Sequence, residues 1–154
     1  MTYLQAMQVS HTISLIPPFF GGGTREIVKR PKVYGFDTGF VTYCRGWDNL
    51  RQDDMGGLWE HLVLDELKAI VDKDRIHYWR DKSGAEIDFV IPTFRDNVNI
   101  IECKLNPEKI NTAAIKKFRK IYPSGDNYCI SPYIKEMYER RIDEHIIKFC
   151  SNYP

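Results

Sequence analysis

Glu102 and Lys104 stand two residues apart in Ile100-Ile101-Glu102-Cys103-Lys104, an apolar run that predicts an extended strand. Side chains alternate along a strand, so Glu102 and Lys104 share one face while Ile101, Cys103 and Leu105 share the other. A carboxylate and an amine then occupy one patch. A second carboxylate, Asp88 in Glu86-Ile87-Asp88-Phe89-Val90-Ile91, joins them if its strand lies alongside, and a third, Glu60, follows Gly57-Leu58-Trp59. Oxygen ligands of this kind suit a hard divalent cation. In such a site Asp88, Glu102 and the backbone carbonyl of Cys103 would bind Mg²⁺ or Mn²⁺, and Glu60 would reach the metal through a water or hold a second metal. Lys104, its pKa lowered by its surroundings or its charge aimed at the developing anion, would orient water for attack on a phosphodiester.

Each residue also has a plainer reading. A carboxylate near a helix start, as expected of Glu60, is favoured by the exposed amides and the helix dipole without any chemistry. Asp is depleted in strands, so Asp88 among apolar neighbours needs a partner, either a metal or a salt bridge to Lys104 or an arginine. Glu102 and Lys104 can be a same-face ion pair. The combination is more specific than its members, because a helix Glu, a hairpin Asp and a strand Glu-x-Lys occur in that order.

Those residues must be positioned by particular elements. Trp59, Leu62, Val63, Leu67, Ile70 and Val71 recur at helical spacing and predict a helix over 54–71, with Asp53 or Asp54 as N-cap and Gly56-Gly57 loosening the entry. Three strands follow, over 76–80, 86–91 and 98–105, with clean alternation in the second. Ser83-Gly84 and the segment 92–97 are short links suited to antiparallel neighbours. Asn106 and Pro107 predict the cap and first residue of a helix carrying Ile110, Ala114, Phe118 and Ile121, ended by Pro123-Ser124-Gly125. A strand over 128–131 then implies a right-handed parallel crossover, and 145–150 predicts one more strand at an edge. The first 40 residues differ: a mixed stretch from Tyr3 to Ile16, breaks at Pro17-Pro18 and Gly21-Gly22-Gly23, and two short strands around Arg30-Pro31 within 25–40. Residues 1–8 have helical spacing but little to bury against, which points to a fragment of a longer protein.

Length and composition fit a single domain. With 154 residues, 43% hydrophobic and 28% charged, the chain can bury a core and does not read as disordered. A net charge of +1 excludes a generally basic nucleic-acid binder, so any such face depends on local clusters such as Lys116-Lys117-Phe118-Arg119-Lys120, which otherwise reads as a solvated helix face. The four cysteines have no zinc-site spacing, and Cys103 and Cys129 read as buried thiols in a reducing cytosol. With neither a signal peptide nor a long apolar run, the expectation is a soluble cytoplasmic protein without a membrane partner. Tyr78-Trp79-Arg80 reads as sheet core, or alternatively as a platform for nucleobases. His61 adjoins Glu60 but points about 100° away on a helix and is left outside the site.

The order and residues resemble the PD-(D/E)XK nuclease superfamily, which includes restriction endonucleases and archaeal Holliday-junction resolvases. A narrower resemblance rests on Lys32-Val33-Tyr34-Gly35-Phe36-Asp37-Thr38-Gly39, Gly57-Leu58-Trp59-Glu60, Tyr78-Trp79-Arg80, Glu86-Ile87-Asp88-Phe89-Val90-Ile91 and Ile101-Glu102-Cys103-Lys104. Those motifs look like the C-terminal domain of unknown function of prokaryotic AAA-type ATPases, over nearly the whole chain. The resemblance implies an α/β fold with a restriction-endonuclease-like αβββαβ core, a mixed sheet flanked by helices and an N-terminal extension. Residues 1–40 would be that extension, a remnant of a winged-helix-like segment, and 41–154 the nuclease-like domain. It further implies Glu60, Asp88, Glu102 and Lys104 as catalytic residues, DNA as substrate and an AAA-type ATPase module as partner, with an oligomer compatible. The alternative is a catalytically silent recognition module of such an ATPase. Ile87 replaces the proline of the signature, and the glutamine of some exonuclease branches is absent, with Lys116 and Lys117 in that region. Gly21-Gly22-Gly23-Thr24 lacks the Gly-Lys pair of a phosphate-binding loop, so no ATP site of that kind is expected.

Overall fold

A computed structural model describes residues 3–20, 30–94 and 96–154. Its centre is a six-stranded mixed sheet in the order β3-β4-β5-β6-β8-β7, formed by β3 (His77–Arg80), β4 (Glu86–Pro92), β5 (Val98–Cys103), β6 (Asn127–Ile130), β7 (Tyr138–Ile142) and β8 (His145–Cys150). β3, β4 and β5 are antiparallel neighbours, whereas β5, β6 and β8 run parallel. One face packs on α3 (Gln52–Ile70), where Val63, Leu64 and Leu67 meet Phe89, Ile91 and Ile101. The other packs on α4 (Thr112–Ile121), where Ala114, Ile115 and Phe118 meet Ile87, Val90 and Ile100. Each large apolar side chain buried here contributes about 1.5–3 kcal/mol. The order helix, three strands, helix, strand is as the sequence predicts, and the sheet is mixed and covered on both faces.

Several local expectations are corrected. α3 begins at Gln52 with Arg51 as N-cap residue, because the Asp54 carboxylate accepts the Arg51 backbone N–H at 3.1 Å rather than capping the helix itself. Gly56 and Gly57 therefore lie inside the helix, and Glu60 sits beyond the first turn, where the dipole reading no longer applies. Leu62 and Ile70 stay exposed. Asn106 caps only a short 3-10 turn, Pro107–Lys109, while α4 is capped by Asn111, whose side chain accepts from Ala114 N. β8 is not at the edge: it lies between β6 and β7, and the charged, mostly exposed β7 forms the edge, joined to β8 by a tight turn at Asp143, φ 53°. Charged residues on an exposed edge carry no apolar period, which hid β7 in the sequence.

The alternation expected of β4 is also broken. His77 pairs with Val90 and Trp79 with Ile87, so two steps on β3 span three on β4. The extra residue is a β-bulge. It places Ile87 and Val90 on the α4 face together, and Phe89 and Ile91 on the α3 face.

In the extension, α1 (Tyr3–Val9) precedes β1 (Ile13–Ile16), which pairs antiparallel with β2 (Lys32–Gly35). Residues 21–29, including the Gly21-Gly22-Gly23 break and the first of the two strands expected within 25–40, lie outside the described residues, as does Met1. The expected strand does not continue to Phe40, because Asp37 accepts from Phe40 N at 2.7 Å and starts α2 (Thr38–Cys44). Pro17 to Phe19 run beside β3, with Phe19 N donating to Tyr78 O at 2.7 Å and Tyr78 N to Pro17 O at 3.1 Å. Ile16 and Tyr34 enter the α3-side core. Among the described residues no helix is long and apolar enough to cross a membrane.

Candidate functional site

Where the β4–β5 ladder stops, Asp88 takes over. Backbone pairing ends at Phe89 with Ile101, and the next available donor, Cys103 N, donates instead to Asp88 Oδ2 at 2.8 Å. The same oxygen accepts from Lys104 Nζ at 3.3 Å, and Lys104 Nζ lies 2.7 Å from Glu102 Oε2. The bulge in β4 and the end of β5 thus bring Asp88, Glu102 and Lys104 together. Lys104 is held in turn by its backbone N–H on Ile130 O at 3.0 Å, an oxygen that also accepts Trp59 Nε1 at 3.0 Å.

Glu60 joins through a residue that the chemical reading of the sequence missed. Lys32 Nζ lies 2.9 Å from Glu60 Oε1 and 3.9 Å from Asp88 Oδ1, and it also pairs with Glu86 Oε1. Tyr34 OH donates to the same Glu60 oxygen. Lys32 and Tyr34 are two apart in β2, so the strand period presents both to Glu60; that spacing, and Glu86 two residues before Asp88, were the signals available. Glu60, Asp88, Cys103 and Lys104 line an open cleft of about 1000 Å³, with Tyr133 and Asn106 on its wall.

The electrostatics follow from burial and this pairing. Glu102 is 1% exposed, and burial together with the charge of Asp88 pushes its carboxyl up to about 8, against the pull of Lys104 and Lys32. Its Oε1 has no hydrogen-bond partner among the described residues. Burial alone depresses Lys104, but Asp88 and Glu102 outweigh it and hold the ammonium above its ordinary value. Lys104 is therefore a fixed cation, and the expectation of a lowered pKa is corrected. Burial likewise lowers Lys32, and Glu60, Asp88 and Glu86 more than reverse it. Burial and then Glu60 raise Tyr34, which stays a neutral donor. Because lysines stand between the carboxylates, no three His, Cys, Asp or Glu side chains form a ready metal cage among the described residues.

The remaining candidates fall outside. Tyr78 and Trp79 are each 1% exposed, which removes the nucleobase platform. Arg80 pairs with Glu86. His61 is buried against Tyr34, with ring centroids 5.8 Å apart. The basic run on α4 is split: Lys116, Lys117 and Lys120 are exposed, whereas Arg119 is buried. Cys103 and Cys129 are buried free thiols, as the sequence indicates.

A family model described as "Domain of unknown function (DUF4143)" matches residues 55–150, more than half of the chain. The chain belongs to the DUF4143 family. The DUF4143 match takes in Glu60, Glu86, Asp88, Glu102 and Lys104 and leaves Lys32 and Tyr34 outside it. Two curated relatives, the uncharacterized proteins Rv2008c of Mycobacterium tuberculosis and Mb2031c of Mycobacterium bovis, are each 29% identical over 93 residues, covering 58% of this chain. The aligned part is 21% of each relative, so this DUF4143 chain spans about a fifth of their length. Among solved structures, a chain of the half-complex from the tetradecameric assembly of Thermococcus gammatolerans McrB AAA+ hexamers with bound McrC aligns with a TM-score of 0.45 and 17% identity. That alignment covers 65% of this chain and 28% of the other.

Proposed function

We propose that the cleft is a divalent-metal phosphodiesterase site on a restriction-endonuclease-like domain, acting on DNA and normally joined to an AAA-type ATPase. One observation carries the reading: Asp88 Oδ2 gathers Cys103 N and Lys104 Nζ while Lys104 also holds buried Glu102, so two acids and a lysine from neighbouring strands converge, with Asp88 and Lys104 lining the cleft and Glu102 behind them. The unpaired Oε1 of buried Glu102 fits a ligand to a cation, since a buried acceptor left unpaired costs about 1–3 kcal/mol. Asp88, Glu102 and the Cys103 carbonyl would hold Mg²⁺ or Mn²⁺, with Glu60 reaching it through water. Bound there, the cation would polarise a phosphoryl oxygen and favour ionised water. The chain's own contribution is Lys104, a permanent cation whose charge stabilises the phosphate anion as negative charge develops. Tyr34, fixed on Glu60, orients that carboxylate toward the cleft. The ATPase association rests on the sequence motifs that resemble the C-terminal domain of such proteins.

A second reading, a silent recognition module, is favoured by one fact: lysines already neutralise the acids. Calorimetry and cleavage separate the two. Mn²⁺ at millimolar concentration is expected to bind the wild type and to bind Asp88→Asn about tenfold or more weakly. Branched, single-stranded and duplex DNA are then incubated with wild type and Lys104→Ala; equal cutting by both, or no Mn²⁺ binding, removes the enzyme reading.

A further inference from the structure

Lys32 belongs to the extension, outside the segment that carries the family match, yet its ammonium stands among the site's carboxylates. It lies 2.9 Å from Glu60 Oε1, pairs with Glu86 Oε1 and is 3.9 Å from Asp88 Oδ1. Its side chain is 18% exposed, so most of its hydration has been exchanged for carboxylate oxygens.

The oxygens of Asp88 are divided between two tasks. Oδ2 is used by Cys103 N and Lys104, and Oδ1 faces Lys32. A cation approaching Asp88 from the Glu60 side therefore meets the oxygen that Lys32 already neutralises. Glu60 is similarly occupied, because its Oε1 takes both Lys32 and Tyr34 OH. Two cations within a few ångströms in a partly buried site repel strongly. Glu86 already holds Lys32 through Oε1, so the ammonium can give up Glu60 without losing its carboxylate partner, and Arg80 pairs with the other Glu86 oxygen. Burial works to raise the Glu86 carboxyl, and Lys32 and Arg80 hold it below its usual range.

We propose that Lys32 is a resident competitor for the divalent cation, bridging Glu60 and Glu86 beside Asp88 until the metal enters and the ammonium gives up Glu60 while keeping Glu86. This rests on the metal-site reading above and adds to it a positioning residue from the extension. The four-carbon stem of lysine makes the withdrawal a side-chain motion, with no strand needing to move.

The test is Mn²⁺ affinity, followed by the electron paramagnetic resonance of the free ion, for wild type, Lys32→Met, Glu86→Gln and Asp88→Asn. Lys32→Met is expected to bind on the order of tenfold more tightly than wild type. Glu86→Gln, which removes the carboxylate that Lys32 would keep, is expected to bind more weakly. Tightening cannot arise from a damaged fold. Equal or weaker binding by Lys32→Met, with binding still abolished by Asp88→Asn, overturns the competitor role and leaves the metal site standing. No binding by either wild type or Lys32→Met overturns both. Should Lys32→Met not fold, ¹³C-lysine-labelled wild type answers the question: saturating Mg²⁺ is expected to shift the Lys32 Cε resonance, and an unmoved resonance overturns the proposal.

Discussion

The two ends of β5 solve the burial of charge in opposite ways. At the Val98 end, Arg119 reaches from α4 and donates to the carbonyl oxygens of Val98, Tyr122, Ser124 and Asp126 and to Oδ1 of Asn127, at 2.7 to 3.1 Å. Four of those acceptors are backbone carbonyls and the fifth is a side-chain amide oxygen; the Ser124 and Asp126 oxygens also accept Val98 N and Ile100 N, so the guanidinium staples the α4–β6 loop to β5. At the Cys103 end, buried Glu102 has one oxygen on Lys104 and the other unpaired. One end is fully satisfied and made of neutral acceptors; the other is crowded with four carboxylates and two lysines that share partners. A charge whose every hydrogen bond is met serves the fold. A buried carboxyl left partly unmet is stability set aside, and it lies behind Asp88 and Lys104, which line the cleft.

The contrast can be broken most directly at Arg119. Arg119→Met removes the hydrogen bonds to all of these acceptors and is expected to lower the unfolding free energy by about 3–5 kcal/mol, read by urea denaturation at neutral pH. Glu102→Gln is expected to stay within about 1 kcal/mol of wild type in the same assay. Losses of equal size would erase the distinction between the two ends.

A smaller effect sharpens the structural end. Gly125 has φ 120°, and a Cβ there would lie 2.2 Å from Val98 O. Gly125→Ala therefore meets both a backbone conformation foreign to L side chains and a clash with β5, with an expected cost of about 2–3 kcal/mol. A melting curve unchanged from wild type would show the loop free to rearrange, and the staple with it.

A pH slope tests the other end. The Glu102 carboxyl is held up near 8 in the folded state, against 4.5 for the ordinary group. Between those values the folded chain holds a proton that the unfolded chain releases, so stability from this group is present at low pH and falls as pH rises through the window. The wild type is expected to lose stability steadily from about pH 5 to 8.5 relative to Glu102→Gln. Parallel pH profiles for the two proteins would mean that Lys104 fully compensates the burial of Glu102.

Most of the frame was legible because its signals are local. The period of Val63 and Leu67, the apolar run ending in Glu102-Cys103-Lys104 and the turn at Ser83-Gly84 each fix an element from neighbouring residues alone. The pairing of Glu102 with Lys104 follows from the strand period. Arg119 shows the limit: in sequence it is one of a run of basic residues, and only the approach of β5 and the loop after α4 turns it inward.

The sequence by itself determined which segments are helix and strand, that Glu102 and Lys104 share a face, and that acids and a lysine recur on the segments that come together. The tertiary structure decided which of them meet. The bulge that turns Asp88 onto Cys103 N depends on the register of β3 against β4, and the placing of Lys32 and Tyr34 on Glu60 depends on β2 packing over α3. Register and packing are set by contacts between residues far apart in the chain, whose energies no local period encodes.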